Sequence, residues 1–180
     1  MNLWGLMMAI NKQRTVVASL TLSAAALVSL VLSESYTDKA VIPTKGDRPT
    51  VGFGSTFRED GTPVQITDTI TPPKALARTL AHVGKDEARV KQCVTAPLNQ
   101  VEYDTMLDFS YQYGTTALCN SSIVSYANAG DYVASCEAYL LYKKSAGYDC
   151  STLVNGKPNK RCWGVWARSV ERRDKCMAAQ

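Results

Sequence analysis

Three side chains close together in the chain have the types that glycosidic chemistry needs. Glu34 is the first acidic residue and directly follows an uncharged run; Asp47 lies in Lys45-Gly46-Asp47-Arg48-Pro49; Thr50 opens Thr50-Val51-Gly52-Phe53-Gly54. A carboxyl group set against apolar surface has its charged form disfavoured, which raises its pKa and suits it to act as a general acid near neutral pH. A second carboxylate with a hydroxyl beside it can hold a water on the opposite face of a sugar ring, as inverting glycoside hydrolysis requires. Gly52 and Gly54 would let a bulky sugar chain approach the backbone closely. Each residue also has a plainer reading: Glu34 as the edge of the apolar segment, Asp47 as an ordinary turn residue.

Composition narrows the alternatives. The chain has 180 residues, 46% of them hydrophobic, with six Cys and a single His. That length suits one domain of ordinary size. With only His82 available, a zinc hydrolase is disfavoured, since such sites usually take two or three His ligands, and no metal site is expected. A Ser-His-Asp or Cys-His enzyme would have to use His82 alone. Gly52-Phe53-Gly54 lacks the third Gly and the strand-to-helix setting of a dinucleotide fingerprint. From Glu34 onward there are 18 basic and 16 acidic residues, because Lys12 and Arg14 are the only charges before it, so the body carries about +2 of the net +4. That is no nucleic-acid footprint.

The elements that must position these residues fall into distinct segments. Thr15 to Ser33 is a run of 19 uncharged residues preceded by Lys12 and Arg14. As a helix rising ~1.5 Å per residue it just spans ~30 Å of hydrocarbon, and the positive flank places the N-terminus on the cytoplasmic side. Five Leu and four Val favour insertion, whereas four Ser and two Thr oppose it, so insertion is expected to be marginal. A cleaved signal peptide, a permanent anchor and an anchor able to leave the bilayer all remain open readings. Met7 and Met8 offer alternative starts to Met1. Residues 34–66 are punctuated by Pro and Gly and read as a small antiparallel sheet with tight turns.

Thr71-Pro72-Pro73 reads as a helix start, with Thr71 as cap and Pro72 at the first position, followed by Leu76, Leu80 and Val83 at helical spacing. Further helices are expected near 85–95, 99–113, 120–127, 131–143 and 164–177, with Val101, Met106, Leu107 and Phe109 as the apolar face of the second. The expected class is α+β: a small antiparallel β-sheet subdomain plus a larger helical subdomain, preceded by an N-terminal apolar helix. The division is 1–33 as anchor segment and 34–180 as the catalytic body.

All six cysteines (Cys93, Cys119, Cys136, Cys150, Cys162, Cys176) lie beyond the apolar run. An even count in an exported body reads as up to three disulfides, and the sequence does not choose among the pairings. Cys150–Cys162 is the most local one and would close a short basic loop. From Lys157 to Lys175 seven basic residues face only Glu171 and Asp174. Such a stretch is either a solvated helix face or a modest attractor of an acidic cell wall.

Glu34, the turn with Asp47, and Pro49-Thr50-Val51-Gly52-Phe53-Gly54-Ser55-Thr56 together resemble the Glu–Asp–Thr constellation of phage-type lysozymes of glycoside hydrolase family 24. So do Thr69-Ile70-Thr71-Pro72, Leu98-Asn99-Gln100 before Tyr103-Asp104, Tyr113-Gly114, and Gly164-Val165-Trp166 leading to Arg172-Arg173. The similarity runs from Glu34 to the C-terminus. It implies a lysozyme-like fold and a muramidase that cleaves the β-1,4 bond between N-acetylmuramic acid and N-acetylglucosamine in peptidoglycan, without a cofactor. Glu34 would be the general acid, Asp47 would activate water and Thr50 would hold it, with Gly52, Gly54 and Tyr113 against the glycan.

Two departures stand out: the family's acid commonly falls where this chain has Thr44, and Ser55 replaces a frequent His. Asp38 is the other candidate for the second carboxylate. The N-terminal run resembles the signal-anchor-release segment of endolysins exported by the host secretion machinery. It implies a monomer tethered to the inner membrane through residues 15–33, with its C-terminus periplasmic, then released to cause host lysis. A lytic transglycosylase and a non-catalytic, disulfide-stabilised wall-binding module are the alternatives.

Overall fold

The computed structural model describes residues 13–43 and 46–180. Met1, Met7, Met8, Lys12 and Thr44, each named above, lie outside the described residues. The chain divides into two compact units, one formed by residues 22–88 and the other by residues up to 21 together with 89–180.

The smaller unit begins with helix α1 (Ala24–Glu34), whose N-terminus is capped by Ser23 accepting from the Ala26 N–H. Strand β1 (Thr37–Val41) pairs antiparallel with β2 (Thr50–Gly52). Thr37 opposes Gly52 and Val41 opposes Thr50, so β1 accommodates extra residues as a bulge between the two pairs. The other edge of β1 meets residues 68–70: Ala40 N–H donates to the Asp68 carbonyl and Ile70 N–H to the Asp38 carbonyl. Ala40, Val51, Val64, Ile70 and Ala75 form the core, with Tyr36 and Phe53 packed against it.

Helix α2 (Pro72–Cys93) starts at the predicted proline, with the Thr71 carbonyl accepting from Ala75 N–H. It is one continuous helix of 22 residues rather than two, because Gly84 interrupts the pattern without breaking the helix. Its inward face is Ala75, Thr79, Val83 and Val90, all buried, whereas Leu76 and Leu80 are exposed. The expected apolar face is therefore corrected: small residues lie inside because the sheet backbone comes close to α2 at Gly52.

The larger unit is helical and holds α3 (Gln100–Tyr113), α4 (Thr115–Cys119), α5 (Ser122–Asn128), α6 (Tyr132–Glu137) and α7 (Trp163–Ala178). Between α6 and α7 stand two small hairpins, β3 (Lys144–Ser145) with β4 (Tyr148–Asp149) and β5 (Leu153–Val154) with β6 (Lys157–Pro158). Asn99 and Glu102 form a reciprocal capping box at the start of α3. α7 packs on α3 and α6. Buried Arg172 ties α7 to α3, with Nε donating to Asp108 at 2.5 Å and Nη2 to Gln112 at 2.8 Å. The cysteines pair 93–119, 136–176 and 150–162, all within this unit.

The expected single apolar helix over 15–33 does not form. Thr15 bridges Leu98, residues Val17–Ser19 make one 3₁₀ turn, and α1 starts only after Ser23. Ser23 ends the extended stretch by capping α1. No described helix is long and apolar enough to cross a membrane. Arg14, expected as a membrane-flanking charge, instead donates to Glu102 from Nη2 at 2.6 Å and from Nε at 3.1 Å, and its guanidinium lies 3.5 Å from the centre of the Tyr132 ring.

Candidate active site

Glu34 is the last residue of α1, and Ser35 follows it with φ 56° and ψ 147°. Positive φ at a non-glycine residue is uncommon and costs energy. Here it turns the chain abruptly from helix to strand and leaves the Glu34 side chain, half-buried, at the junction. Tyr36 then anchors the start of the strand, its hydroxyl donating to the Ile70 carbonyl at 2.7 Å and its ring 5.5 Å from that of Phe53.

After β2 the chain reverses: Val51 and Ser55 exchange backbone hydrogen bonds around Gly52-Phe53-Gly54. This turn brings Gly54 to Glu34. A Cβ added at Gly54, where φ is +76°, would lie 3.1 Å from Glu34 Oε2. Gly54 is thus glycine for two reasons, its backbone conformation and the carboxylate against it. Gly52 answers to a different constraint. It is buried, and an added Cβ would lie 2.9 Å from Ala75 Cβ, so its missing side chain serves the packing of the sheet on α2.

Thr50 opens β2, and its hydroxyl reaches the Val41 carbonyl only at 3.5 Å, a contact long enough to yield to a better partner. Asp47 is exposed in the connection between β1 and β2, and Asp38 is exposed on β1. Glu34 and Gly54 are therefore brought together and Thr50 heads the strand that leads into the same turn, whereas Asp47 stands exposed in the β1–β2 connection. Tyr113 belongs to the helical unit. It ends α3 in an aromatic cluster, 4.6 Å from Phe109 and 5.6 Å from Tyr142. His82 lies on α2 facing Asp86 of the same helix at 3.5 Å.

Sequence reasoning did not single out Ser35, whose backbone sets the position of Glu34. No side-chain signal marks a serine with positive φ. It also missed Arg58 and Asp68. Arg58 donates to both Asp68 oxygens at 2.7 Å, closing the segment that follows the Gly54 turn. These bonds, with one from the Gln65 N–H, hold the Asp68 carboxyl down at about 2.

The model of the phage lysozyme family matches residues 31–160, which include Glu34, Thr50 and both glycines. The chain belongs to the phage lysozyme family. The endolysin of Salmonella phage P22 is 30% identical over 128 residues, 71% of this chain and 83% of that one. Among solved structures, an endolysin from Escherichia coli O157:H7 phage FAHEc1 superposes with a TM-score of 0.73 at 27% identity, covering 92% of this chain and 96% of the other. A P22 lysozyme variant gives 0.69 at 26% identity, covering 88% and 99%. Family and fold together make this chain a lysozyme-type hydrolase that degrades the bacterial cell wall, with peptidoglycan as its substrate.

Proposed function

We propose that this lysozyme is a muramidase that hydrolyses the β-1,4 bond between N-acetylmuramic acid and N-acetylglucosamine with inversion. The reading is carried by one observation: a carboxyl group at the end of α1 stands against Gly54, where an added Cβ would lie only 3.1 Å from it. Protonated Glu34 gives its proton to the glycosidic oxygen as the bond breaks. A water on the opposite face of the oxocarbenium-like centre is deprotonated by Asp47 as it attacks, and the Thr50 hydroxyl holds that water. One water is consumed, and the new hemiacetal carries the inverted anomeric configuration.

Glu34→Gln keeps the side chain's shape and removes the acid. Lysis should fall by about a hundredfold or more, the scale of general acid–base catalysis. Mass spectrometry of the fragments should show one added water per cleavage. Anhydro sugars would instead establish a lytic transglycosylase, and unchanged lysis by Glu34→Gln would place the catalytic centre elsewhere than at Glu34.

The setting of the reaction is part of the same proposal. Residues 15–33 serve first as a membrane anchor, inserted through the host secretion machinery with the C-terminus in the periplasm. The folded form described above is then the released, monomeric form that lyses the host. Support comes from the composition of the run, apolar enough to insert marginally, and from its ability to fold as a strand-like stretch, a 3₁₀ turn and α1.

A further inference from the structure

The smaller unit contains an open cleft of about 400 Å³ that includes none of Glu34, Asp47, Thr50 or Gly54. Its lining carries the cations Arg58, Lys74 and Arg78 and the carboxylates Glu59, Asp60 and Asp68. Several of these charges are already engaged. Arg58 and Asp68 neutralise one another through two hydrogen bonds, and Asp60 accepts from the Thr62 backbone and hydroxyl.

Four charges remain for a ligand, those of Lys74, Arg78, Glu59 and Asp60, whose hydrogen bonds come from the uncharged Thr62. Lys74 is exposed and has no ion pair among the described residues. Arg78 is mostly buried, reaches Glu59 only at 3.9 Å, and keeps a buried Nε without a hydrogen-bond partner among the described residues. Glu59 is 71% exposed beside it. A buried guanidinium donor left unpaired costs energy, and an incoming acceptor would remove that cost. The helix end contributes little, since Pro72 and Pro73 lack an N–H, so recognition falls on side chains.

Two cationic groups beside the carboxylates of Glu59 and Asp60 complement a ligand carrying a carboxylate with an ammonium next to it. Peptidoglycan presents that pair on its peptide stems, where a diamino acid leaves a free α-amino-acid end. The cleft also adjoins the reaction side of the unit through Ile70. This residue lines the cleft, its Cγ2 lies 3.4 Å from a Cβ added at Gly52, and its carbonyl accepts from Tyr36.

We propose that this cleft is a peptide-stem subsite: Arg78 and Lys74 bind the carboxylate, and Glu59 the ammonium, of a zwitterionic amino-acid end on the substrate. The inference rests on the peptidoglycan reading of the active site and extends it from the glycan to its peptide. Glycan specificity belongs to the Glu34 region, and preference for peptide-bearing strands belongs to this cleft.

The test uses the full chain. Binding of a free stem tripeptide ending in meso-diaminopimelate is measured by calorimetry against the same peptide with that end N-acetylated and amidated. Cleavage kinetics are read on stem-bearing and peptide-free glycan. The wild type should bind the free-ended peptide, reject the blocked one and show a lower KM for stem-bearing glycan. Lys74→Glu and Glu59→Lys, both at exposed positions, should each weaken peptide binding and shrink that KM preference about fivefold, with the thermal midpoint retained. Equal binding of both peptides, or an undiminished KM preference in both variants, overturns the subsite. Failure of the wild type to cleave either glycan while it still binds the free-ended peptide would overturn the muramidase reading and leave the cleft standing.

Discussion

At the scale of single residues, backbone conformation sets where the groups of the site stand. Ser35 takes φ 56° immediately after Glu34, a conformation that glycine adopts without strain. Ser35→Gly should therefore raise stability by about 1 kcal/mol, once the added flexibility of the unfolded chain is deducted from the relieved strain. A shift of the urea midpoint at unchanged slope would register it; a loss of stability would mean that the serine backbone is unstrained. The two glycines make a sharper pair. Gly54→Ala places a methyl 3.1 Å from Glu34 Oε2, so it should cost roughly a hundredfold in turnover by displacing the carboxyl group. Gly52→Ala drives a methyl to 2.9 Å from Ala75 Cβ and should act chiefly on stability, by about 2–3 kcal/mol. Parallel thermal melts and lysis assays separate the two; equal loss of stability in both variants would remove the special role of Gly54.

At the scale of elements, two ion pairs do different work. Arg58 and Asp68 close the segment between the Gly54 turn and α2, and the Asp68 carboxyl is held down at about 2 by those hydrogen bonds and by Gln65 N–H. Its folded value lies below its unfolded one. The stability it contributes is thus fully present above the ordinary carboxylate pKa of about 4 and is lost as pH falls through about 2. Asp149, likewise held at about 2 by Ser151 and Lys143, adds to the same window. Urea midpoints measured from pH 5 to pH 2 should fall steeply in the wild type and less steeply in Asp68→Asn; parallel curves would refute the assignment.

The second pair fastens the start of the described chain to α3. Glu102, 3% exposed, accepts from Arg14, from the Asn99 N–H and from Gln180. Arg14→Gln leaves that buried carboxylate undercompensated and should cost about 2–3 kcal/mol, below the full value for a buried pair because Arg14 is partly exposed. A melt within one degree of wild type would show that the pair contributes nothing.

At the scale of the whole molecule, legibility followed the range of the interactions. The α+β order, the start of α2 at Pro72 and the span of α3 near 99–113 were readable because prolines and apolar spacing act within a few residues. The inward face of α2 was not, since Ala75 is chosen by the approach of Gly52 from 23 positions away. Nor was the fate of Arg14, whose partner Glu102 is 88 positions distant. The single helix expected over the apolar run fails to form for the same reason: alone the run suits a bilayer, yet Thr15 finds Leu98 and the Leu22 N–H finds the Glu87 carboxylate at 2.8 Å. These folded contacts compete with insertion, and the balance must be close if one segment is to serve both states. Each added Leu favours the bilayer by about 0.3–0.6 kcal/mol, and replacing a hydroxyl removes an opposing contribution as well. Thr21→Leu with Ser23→Leu should tip the balance further, because Ser23 also caps α1. The double variant is expected to sediment with inner membranes and to leave cells intact where the wild type lyses them, while a truncation beginning after residue 33 sediments with neither membranes nor activity because it lacks α1. Full lytic activity in the double variant would show that residues 15–33 do not govern release.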